Sequence, residues 1–170
     1  MRANKYNTQT FNMRFTSITK EDLPFLNETR NLVAKEFLHD SRSFTLEETI
    51  DWFEKHKPNY WMIWVDDCRI GYFRLINYSV ENRNIYIGAD IHPSYQGKGY
   101  GYESYLKFLP FLFEELSLHK ITLEVLSSNK RAIHLYNKLG FVHEGAKRQE
   151  VLKEDAYIDS HIMSILRDEI

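Results

Sequence analysis

The stretch "IGADIHPSYQGKGYGYESYL", residues 87–106, carries the most specific pattern in this chain. An apolar run comes before three glycines, Gly97, Gly99 and Gly101, and an amphipathic run follows them. The first run is typical of a strand, while apolar residues after the last glycine recur at helical spacing. The order strand, glycine turn, helix therefore predicts an α/β fold built around this segment.

The glycine turn is a candidate anion-binding site. Successive backbone N–H groups of such a turn point at one anion, beside the positive end of the following helix. Gln96 and Lys98 add side-chain donors. A Walker A loop is excluded because Gly101 is followed by Tyr102, and the dinucleotide fingerprint is excluded because Tyr102 or Ser104 stands where its third glycine belongs. A connector without a ligand is the alternative, although three glycines lose more chain entropy than a connector requires.

The rest of the chain predicts strands and helices in a mixed order. The predicted strands are 13–18, 60–65, 69–78, 84–91, 120–126, 141–152 and 157–166, and the predicted helices are 19–38, 45–56, the run after the glycines, and 129–140. Capping-box patterns at Thr19 and Thr45 mark two helix starts, and Gly140 marks a helix end. A strand–helix–strand crossover predicts that strands 84–91 and 120–126 are parallel. We expect them to diverge near Ile91.

The composition narrows the function classes. The chain has 170 residues, 43% of them hydrophobic and 27% charged, with a net charge of −2. This balance gives no basic footprint for nucleic acid or an anionic membrane. The single Cys68 fits a reducing compartment, and no run approaches the roughly 20 apolar residues of a spanning helix. Because the seven His residues show no metal-ligand spacing, we expect a cytoplasmic protein without a metal.

Two segments resemble one family. "IHPSYQGKGYG" is similar to the Gln/Arg-x-x-Gly-x-Gly/Ala signature of the GNAT acetyltransferases, and "LEVLSSNKRAIHLYNKLGFVHEG" is similar to their Asn-x-x-Ala-x-x-x-Tyr-x-x-x-Gly-Phe segment. Two more segments, "EDLPFLNETRN" (21–31) and "YIDSHIMSIL" (157–166), look like one branch of this family. That branch contains ribosomal-protein N-terminal, spermidine and nucleotide-amino-sugar acetyltransferases. The resemblance implies a single-domain GNAT-like fold, α/β, with a mixed central sheet of about seven strands flanked by about four helices.

The resemblance also implies roles for individual residues, with acetyl-CoA as the co-substrate. The residues it assigns to CoA are Gln96, Gly97, Lys98, Gly99, Tyr100, Gly101 and Asn129, the last of which is also a plain helix N-cap. In this family the strand before the turn splays from its neighbour, which implies that the freed N–H of Ile91 bonds the thioester oxygen. Tyr136 is the implied general acid for the departing thiolate, although its apolar helical stripe also fits a core tyrosine.

The general base does not carry over from the family. The ribosomal-protein and polyamine branch of the family often has a Glu on the strand, two residues before an Ile-Gly pair. In this sequence that position is Tyr86, which we assign to acceptor binding. Asp90 lies one residue before the presumed oxyanion donor and accepts a proton directly or through water. The alternative is that Asp90 is a solvated acid at the strand end. His92 and Glu103 are the other titratable neighbours.

The acceptor side is predicted from the first two helices and the loop "EFLHDSRSF" between them. Residues 20–55 contain nine acidic and five basic side chains. This negative net charge suits a cationic amine, but it is also typical of the solvent-exposed faces of two helices. His39 and Arg42 offer side-chain donors, and Arg42 suits the phosphates of a sugar nucleotide. We expect a small amine-bearing metabolite, an amino sugar first and a polyamine second, with a protein N-terminus as runner-up.

The sequence therefore predicts an acetyl-CoA-dependent N-acetyltransferase that works by direct attack of a primary amine. One domain covers residues 1–170. Its parts are the first strand and acceptor-side helices (1–56), the central strands with the CoA turn and helix (60–116), and the C-terminal strands and helix (120–170). A CoA-binding module without turnover is the other class, because no base is identified. We expect no nucleic-acid or membrane partner and leave a homodimer open.

Overall fold

The computed structural model describes residues 12–170; residues 1–11 of the predicted N-terminal part lie outside the described residues. The described chain contains seven strands and four α-helices: β1 (Met13–Ser17), α1 (Leu23–Phe37), α2 (Leu46–His56), β2 (Asn59–Val65), β3 (Cys68–Ser79), β4 (Asn84–Ile91), α3 (Tyr100–Glu115), β5 (Lys120–Leu126), α4 (Lys130–Lys138), β6 (Val142–Lys153) and β7 (Ala156–Leu166). This confirms the predicted fold class and the predicted order of elements.

The helix ends form where the sequence signals them. Thr45 caps α2, because its hydroxyl accepts from Glu48 N at 3.1 Å and the Glu48 carboxylate accepts from Thr45 N at 2.7 Å. Asp22 accepts from Thr19 N at 2.8 Å and opens a short 3-10 turn that leads into α1. Gly140 follows α4 with φ +94°, a conformation in which glycine has no Cβ penalty. These caps satisfy backbone groups that a helix leaves unpaired at its ends.

The strands form one sheet in the order β1-β2-β3-β4-β5-β7-β6. Among the described strands, only β4 and β5 pair in parallel, and α3 is the helix of the crossover between them. All other neighbouring strands pair antiparallel. The predicted mixed sheet and its parallel pair are confirmed.

The parallel pair splits apart earlier than predicted. β4 and β5 pair only from Asn84↔Lys120 to Tyr86↔Thr122, so they separate five residues before Ile91. The cause lies in their other partners. β5 stays paired with β7 over its whole length, and β4 stays paired with β3 as far as Ile91. Each strand follows its antiparallel partner, and the twist of the sheet draws the two apart.

The helices cover both faces of the sheet. Alternation along β3 sends Tyr72 to one face and Phe73 to the other. Tyr72 packs with Leu23 and Leu26 of α1. Phe73 stacks on Phe108 of α3, on the other face, with ring centroids 4.3 Å apart. The split between β4 and β5 therefore opens between two helical layers.

Candidate functional site

A cleft of about 1110 Å³ passes through the split and reaches both helical layers. Its walls bring together ten of the predicted site residues, which lie far apart in sequence: His39, Arg42, Asp90, Ile91, Gln96, Gly97, Gly99, Gly101, Asn129 and Tyr136. The chemistry that the sequence predicted is thus concentrated in one place. We call the part lined by the glycine turn and α4 the CoA half. The part lined by α1, α2, the loop between them and the facing side chains of β2, β3, β4 and β5 is the acceptor half.

Three predicted site residues do not line this cleft in the described chain: Tyr86, Lys98 and Tyr100. Tyr86 lies at the last paired position of β4, before the split begins. The Lys98 ammonium turns back to the carbonyl of Ser94 at 2.9 Å. The Tyr100 ring lies edge-on to Tyr95, with centroids 6.3 Å apart.

The glycine turn presents bare backbone at the start of α3. Gly97 and Gly99 have φ values of +77° and +86°, which L-residues rarely adopt, and Gly99 is the N-cap of α3. A Cβ added at Gly99 would meet no atom within 4 Å, so the space in front of the turn is open. At Gly101 the glycine serves packing instead, since a Cβ there would lie 3.3 Å from Leu135 Cδ1. The turn fits an anion beside a helix N-terminus.

Gln96 has a different task from the predicted one. Its Nε2 donates to the carbonyl of Ile91 at 2.8 Å, and its Oε1 accepts from Arg131 at 3.5 Å. The side chain therefore ties the turn to the end of β4. Sequence reasoning missed Arg131 and Lys138, which line the CoA half. Their seven-residue spacing on α4, two helical turns, was the available signal.

The N–H of Ile91 points into the split. The next residue, His92, donates its N–H to the carbonyl of Ile70 at 2.9 Å, which directs that N–H toward β3. Because successive N–H groups of a strand point to opposite sides, the N–H of Ile91 faces β5. Pairing with β5 has already ended there. This is the geometry that the family resemblance implied for an oxyanion donor.

Tyr136 is buried in the wall of the cleft. The Tyr105 hydroxyl donates to the Tyr136 hydroxyl at 3.5 Å, and the two rings meet edge-on with centroids 5.6 Å apart. Burial raises the pKa of Tyr136 above its usual value, while the hydrogen bond from Tyr105 opposes that rise. The phenol therefore stays protonated at neutral pH. Asn129 caps α4, since its Oδ1 accepts from Ala132 N at 3.1 Å.

Asp90 is held in an ion pair that the sequence did not reveal. Arg74 Nη2 donates to Asp90 Oδ1 at 3.4 Å, and Arg74 Nε lies 3.1 Å from Oδ2 but out of line for a hydrogen bond. Gly88 makes room for the guanidinium, because a Cβ there would lie 2.8 Å from Arg74 Nη2. Burial acts to lower the pKa of Arg74, but the charge of Asp90 raises it. In the sequence, the signal for this pair was Asp90, the single charged residue of the mostly apolar strand β4.

Aromatic rings line part of the acceptor half. Trp52 lies 5.4 Å from Tyr60, and Tyr60 stacks on Tyr72 at 5.9 Å between centroids. All three residues border the cleft. Such a wall offers apolar area and ring faces that attract cations.

Carboxylates outnumber guanidinium groups in the acceptor half. The carboxylates are Asp40, Glu48, Asp51, Asp90 and Glu124, and the guanidinium groups are those of Arg30, Arg42 and Arg74. Arg42 is paired with Asp40 at 2.7 Å, and this hydrogen bonding lowers the pKa of Asp40 to about 2. Arg30 approaches the same carboxylate at 3.7 Å. The predicted phosphate-binding charge of Arg42 is thus largely balanced within the loop.

His39 belongs to a cluster at the edge of the acceptor half. Its Nε2 lies 2.7 Å from Ser160 Oγ and 3.7 Å from Glu124 Oε2. Lys147 donates to the other oxygen of Glu124 at 2.7 Å. Sequence reasoning named His39 but missed Glu124. The alternation in "KITLEVL" was the signal, because it sends Thr122 and Glu124 to the face opposite Ile121, Leu123 and Val125.

Within residues 12–170, no group of three or more His, Cys, Asp or Glu side chains is arranged to hold a metal ion. No helix in that range is long and apolar enough to cross a membrane.

Known proteins are similar to this chain in sequence and in structure. The family model "Acetyltransferase (GNAT) domain" matches residues 12–142. The spermidine N(1)-acetyltransferase of Vibrio cholerae is 32% identical over 159 residues, which is 89% of this chain and 91% of that protein. A crystal structure of spermidine N-acetyltransferase from that organism, in complex with CoA and spermine, superposes with a TM-score of 0.85 at 28% identity, covering 92% of this chain and 96% of the other. A dodecameric structure of spermidine N-acetyltransferase from Vibrio cholerae superposes with a TM-score of 0.81 at 26% identity. It covers 92% of this chain and 94% of the other.

Proposed function

This chain belongs to the acetyltransferase (GNAT) family, and we propose that its acceptor is a polyamine. Family and relatives make it an acetyl-CoA-dependent N-acetyltransferase with a small-molecule amine as acceptor. The predicted enzyme class and co-substrate are thereby confirmed. The amino sugar that the sequence placed first has no support among these relatives. The homodimer stays a prediction, and one relative is a dodecamer.

The observation that carries the chemistry is the free N–H of Ile91 in the split, next to the glycine turn. With the pyrophosphate on the turn, this N–H donates to the thioester oxygen and stabilises its negative charge as the amine attacks. Tyr136 then gives its proton to the departing sulfur. Free phenol is a weaker acid than a thiol, so this transfer is uphill by about 2 kcal/mol. Burial of Tyr136 adds to that difference, which remains small beside a chemical barrier.

Asp90 has a supporting role in this proposal. Its carboxylate already forms an ion pair with Arg74. We propose that this pair fixes the Arg74 guanidinium over Gly88, at the floor of the cleft. This leaves the proton acceptor for the amine to be found elsewhere in the acceptor half.

The polyamine is supported by charge and by aromatic surface. Arg30 and Arg42 share Asp40, and Arg74 pairs with Asp90. Five carboxylates face these three guanidinium groups in the cleft, which leaves a formal excess of two negative charges. Asp51 forms no ion pair among residues 12–170. A polyamine supplies ammonium groups for such carboxylates and methylene chains for the Trp52–Tyr60–Tyr72 wall.

An acceptor panel tests the proposal. The enzyme is incubated with acetyl-CoA and either spermidine, spermine, an amino-sugar nucleotide or a peptide with a free N-terminus, and free thiol is followed. We expect the polyamines to give the highest kcat/KM. Asp51→Asn should raise KM for spermidine several-fold, whereas Glu54→Gln, on the same helix but outside the cleft, should not. Preference for the sugar nucleotide or the peptide would refute the polyamine, and CoA binding without thiol release on any amine would indicate a binding module.

A further inference from the structure

The acceptor amine reaches the enzyme in an unreactive form. A primary alkyl amine resembles the lysine side chain, whose pKa is about 10.4, so at neutral pH it is an ammonium ion with no lone pair to attack the thioester. A group in the acceptor half must take one proton from it. Tyr86 carries no carboxylate, and Asp90 is engaged by Arg74.

The mouth of the split points to another candidate. If the parallel pairing of β4 and β5 continued beyond Tyr86↔Thr122, Gly88 would face Glu124. The strands have separated there, so Glu124 stands across the opening from Gly88 and the Arg74 guanidinium that covers it. An amine that enters from the acceptor half passes between these two groups to reach the N–H of Ile91.

His39 stands beside Glu124 at this opening. The imidazole Nε2 lies 3.7 Å from Glu124 Oε2 and 2.7 Å from Ser160 Oγ, and 38% of the side chain is exposed. It therefore touches both the cleft and water. We propose that His39, paired with Glu124, accepts the proton that the acceptor ammonium loses before it attacks the thioester. The inference rests on the proposed acetyl transfer and adds its proton acceptor.

The surroundings keep this imidazole ready to accept a proton. Burial lowers the pKa of His39 below its usual value; Glu124 and Glu150 oppose this, while Arg74 and Lys147 reinforce it. These charges come from β3, β5 and β6, while β7 contacts the ring through the neutral hydroxyl of Ser160. His39 is therefore neutral at pH 7, as a base must be. The Glu124 carboxylate stabilises the imidazolium once the proton has moved.

The protons balance over one turnover. The ammonium gives one proton to His39, which passes it to solvent through its exposed edge. The neutral amine then forms the carbon–nitrogen bond, the carbon–sulfur bond breaks, and the electron pair goes to sulfur. Tyr136 protonates the sulfur and is itself restored by the second proton from nitrogen. The products are the amide, the free thiol of CoA and one proton.

The first test replaces the base. In His39→Gln, kcat with spermidine at pH 7 should fall roughly 100-fold, the usual contribution of a positioned base. The loss should shrink as pH rises toward the pKa of the amine, because the free amine then needs no base. The melting temperature and the Kd for CoA should match wild type. His119→Gln, an exposed histidine outside the cleft, is the matched control and should leave kcat unchanged.

The second test moves the pKa of His39 in opposite directions. Wild-type kcat should fall in acid as His39 becomes protonated, with a midpoint below the ordinary pKa of about 6.5. Glu124→Gln removes a charge that raises this pKa, so the acid limb should move to lower pH. Lys147→Met removes a charge that lowers it, so the limb should move to higher pH.

Several results would overturn the inference. A His39→Gln enzyme with wild-type kcat would exclude the base, and a change confined to KM would make His39 a binding residue. Shifts of the acid limb in one direction for both neighbours would also contradict it. Each of these results leaves acetyl transfer intact. A wild-type enzyme that releases no thiol on any amine would instead overturn the proposed function and this inference together.

Discussion

The two halves of the cleft are built in different ways. The CoA half comes from two short segments, residues 91–101 and 129–138, and its chemistry is mostly that of the backbone: a free N–H, two glycines with positive φ and a helix N-terminus. The acceptor half comes from side chains of α1, α2, β2, β3, β4 and β5 and of the loop between the first two helices. The comparison indicates that recognition of a common co-substrate is encoded locally, while recognition of the acceptor is dispersed through the chain.

The halves also differ in charge. Arg131 and Lys138 give the CoA half positive charge that suits phosphates, whereas carboxylates outnumber guanidinium groups in the acceptor half. The two substrates have opposite charges, so this asymmetry orients them on either side of the split. If the halves are independent, substitutions in one should leave the binding function of the other intact.

The largest expected effect is in the CoA half. Gly99→Glu forces a side chain into left-handed backbone and sends a carboxylate into the open space in front of the turn. We expect the Kd for CoA to rise at least about 100-fold, since the added carboxylate repels the pyrophosphate and blocks its approach to the backbone N–H groups. Isothermal titration calorimetry measures it.

A matched glycine controls for the added charge. Gly145→Glu places the same side chain on β6, where a Cβ meets no atom within 4 Å and φ is not positive. It should bind CoA as wild type does. Wild-type affinity in Gly99→Glu would refute the anion site, and equal losses in both variants would point to net charge instead.

The next effect is at the meeting point of the halves. Tyr136→Phe removes only the hydroxyl, so kcat should fall roughly 100-fold while stability changes by no more than about 1 kcal/mol. The Kd for CoA should stay near wild type. Steady-state kinetics, a melting curve and calorimetric titration with CoA give the three values.

Tyr105→Phe is the control for that substitution. It removes the neighbouring buried hydroxyl, which donates to the Tyr136 hydroxyl at 3.5 Å, but leaves the proposed acid itself in place, so kcat should fall much less. A Tyr136→Phe enzyme with wild-type kcat would leave Tyr136 as a core residue. Equal losses of kcat in both variants would mean that the tyrosine pair, and not Tyr136 by itself, is responsible.

The contrast between the halves also explains what the sequence could predict. The glycine turn and Asn129 were predictable because glycine conformation and helix capping depend on neighbouring residues. The Arg74–Asp90 pair was not, because it joins two strands whose register no local pattern reveals. Alternation along β5 indicated the face on which Glu124 lies, but not its partner. Its partner His39 lies 85 positions earlier in the chain, and only the fold brings them together.

A third prediction tests the buried charge pair of the acceptor half. Asp90→Asn leaves the Arg74 guanidinium without its counter-charge at a position where only 3% of the Asp90 side chain is exposed. We expect a loss of about 3 kcal/mol in the free energy of unfolding, the lower end for breaking a buried pair. Urea unfolding measures it.

Glu54→Gln gives the surface reference for that loss. It breaks the exposed Lys20–Glu54 pair, which should contribute no more than about 1 kcal/mol. If the two variants lose equal stability, the Arg74–Asp90 pair is as solvent-screened as the surface one, and its assigned role at the floor of the cleft is wrong.

The smallest predicted effect concerns the N-cap of α2, which should affect stability but not CoA binding. Thr45→Ala removes the cap of α2, the helix that carries Asp51 and Trp52, and should destabilise the protein by about 1 kcal/mol. Thr45→Ser keeps the hydroxyl and should lose less. The Kd for CoA should not change in either variant, and a change of CoA affinity with the cap would contradict the independence of the two halves.

The proposed reaction in this cleft is the transfer of an acetyl group from CoA to a primary amine of a polyamine. Wild-type enzyme is mixed with acetyl-CoA and spermidine, free thiol is quantified, and the product is identified by mass spectrometry. Mono-acetylated spermidine should form in a one-to-one ratio with the thiol released, and no thiol should be released without the amine. Thiol release that is independent of spermidine, or CoA binding with no acetylated polyamine, would refute the proposed reaction.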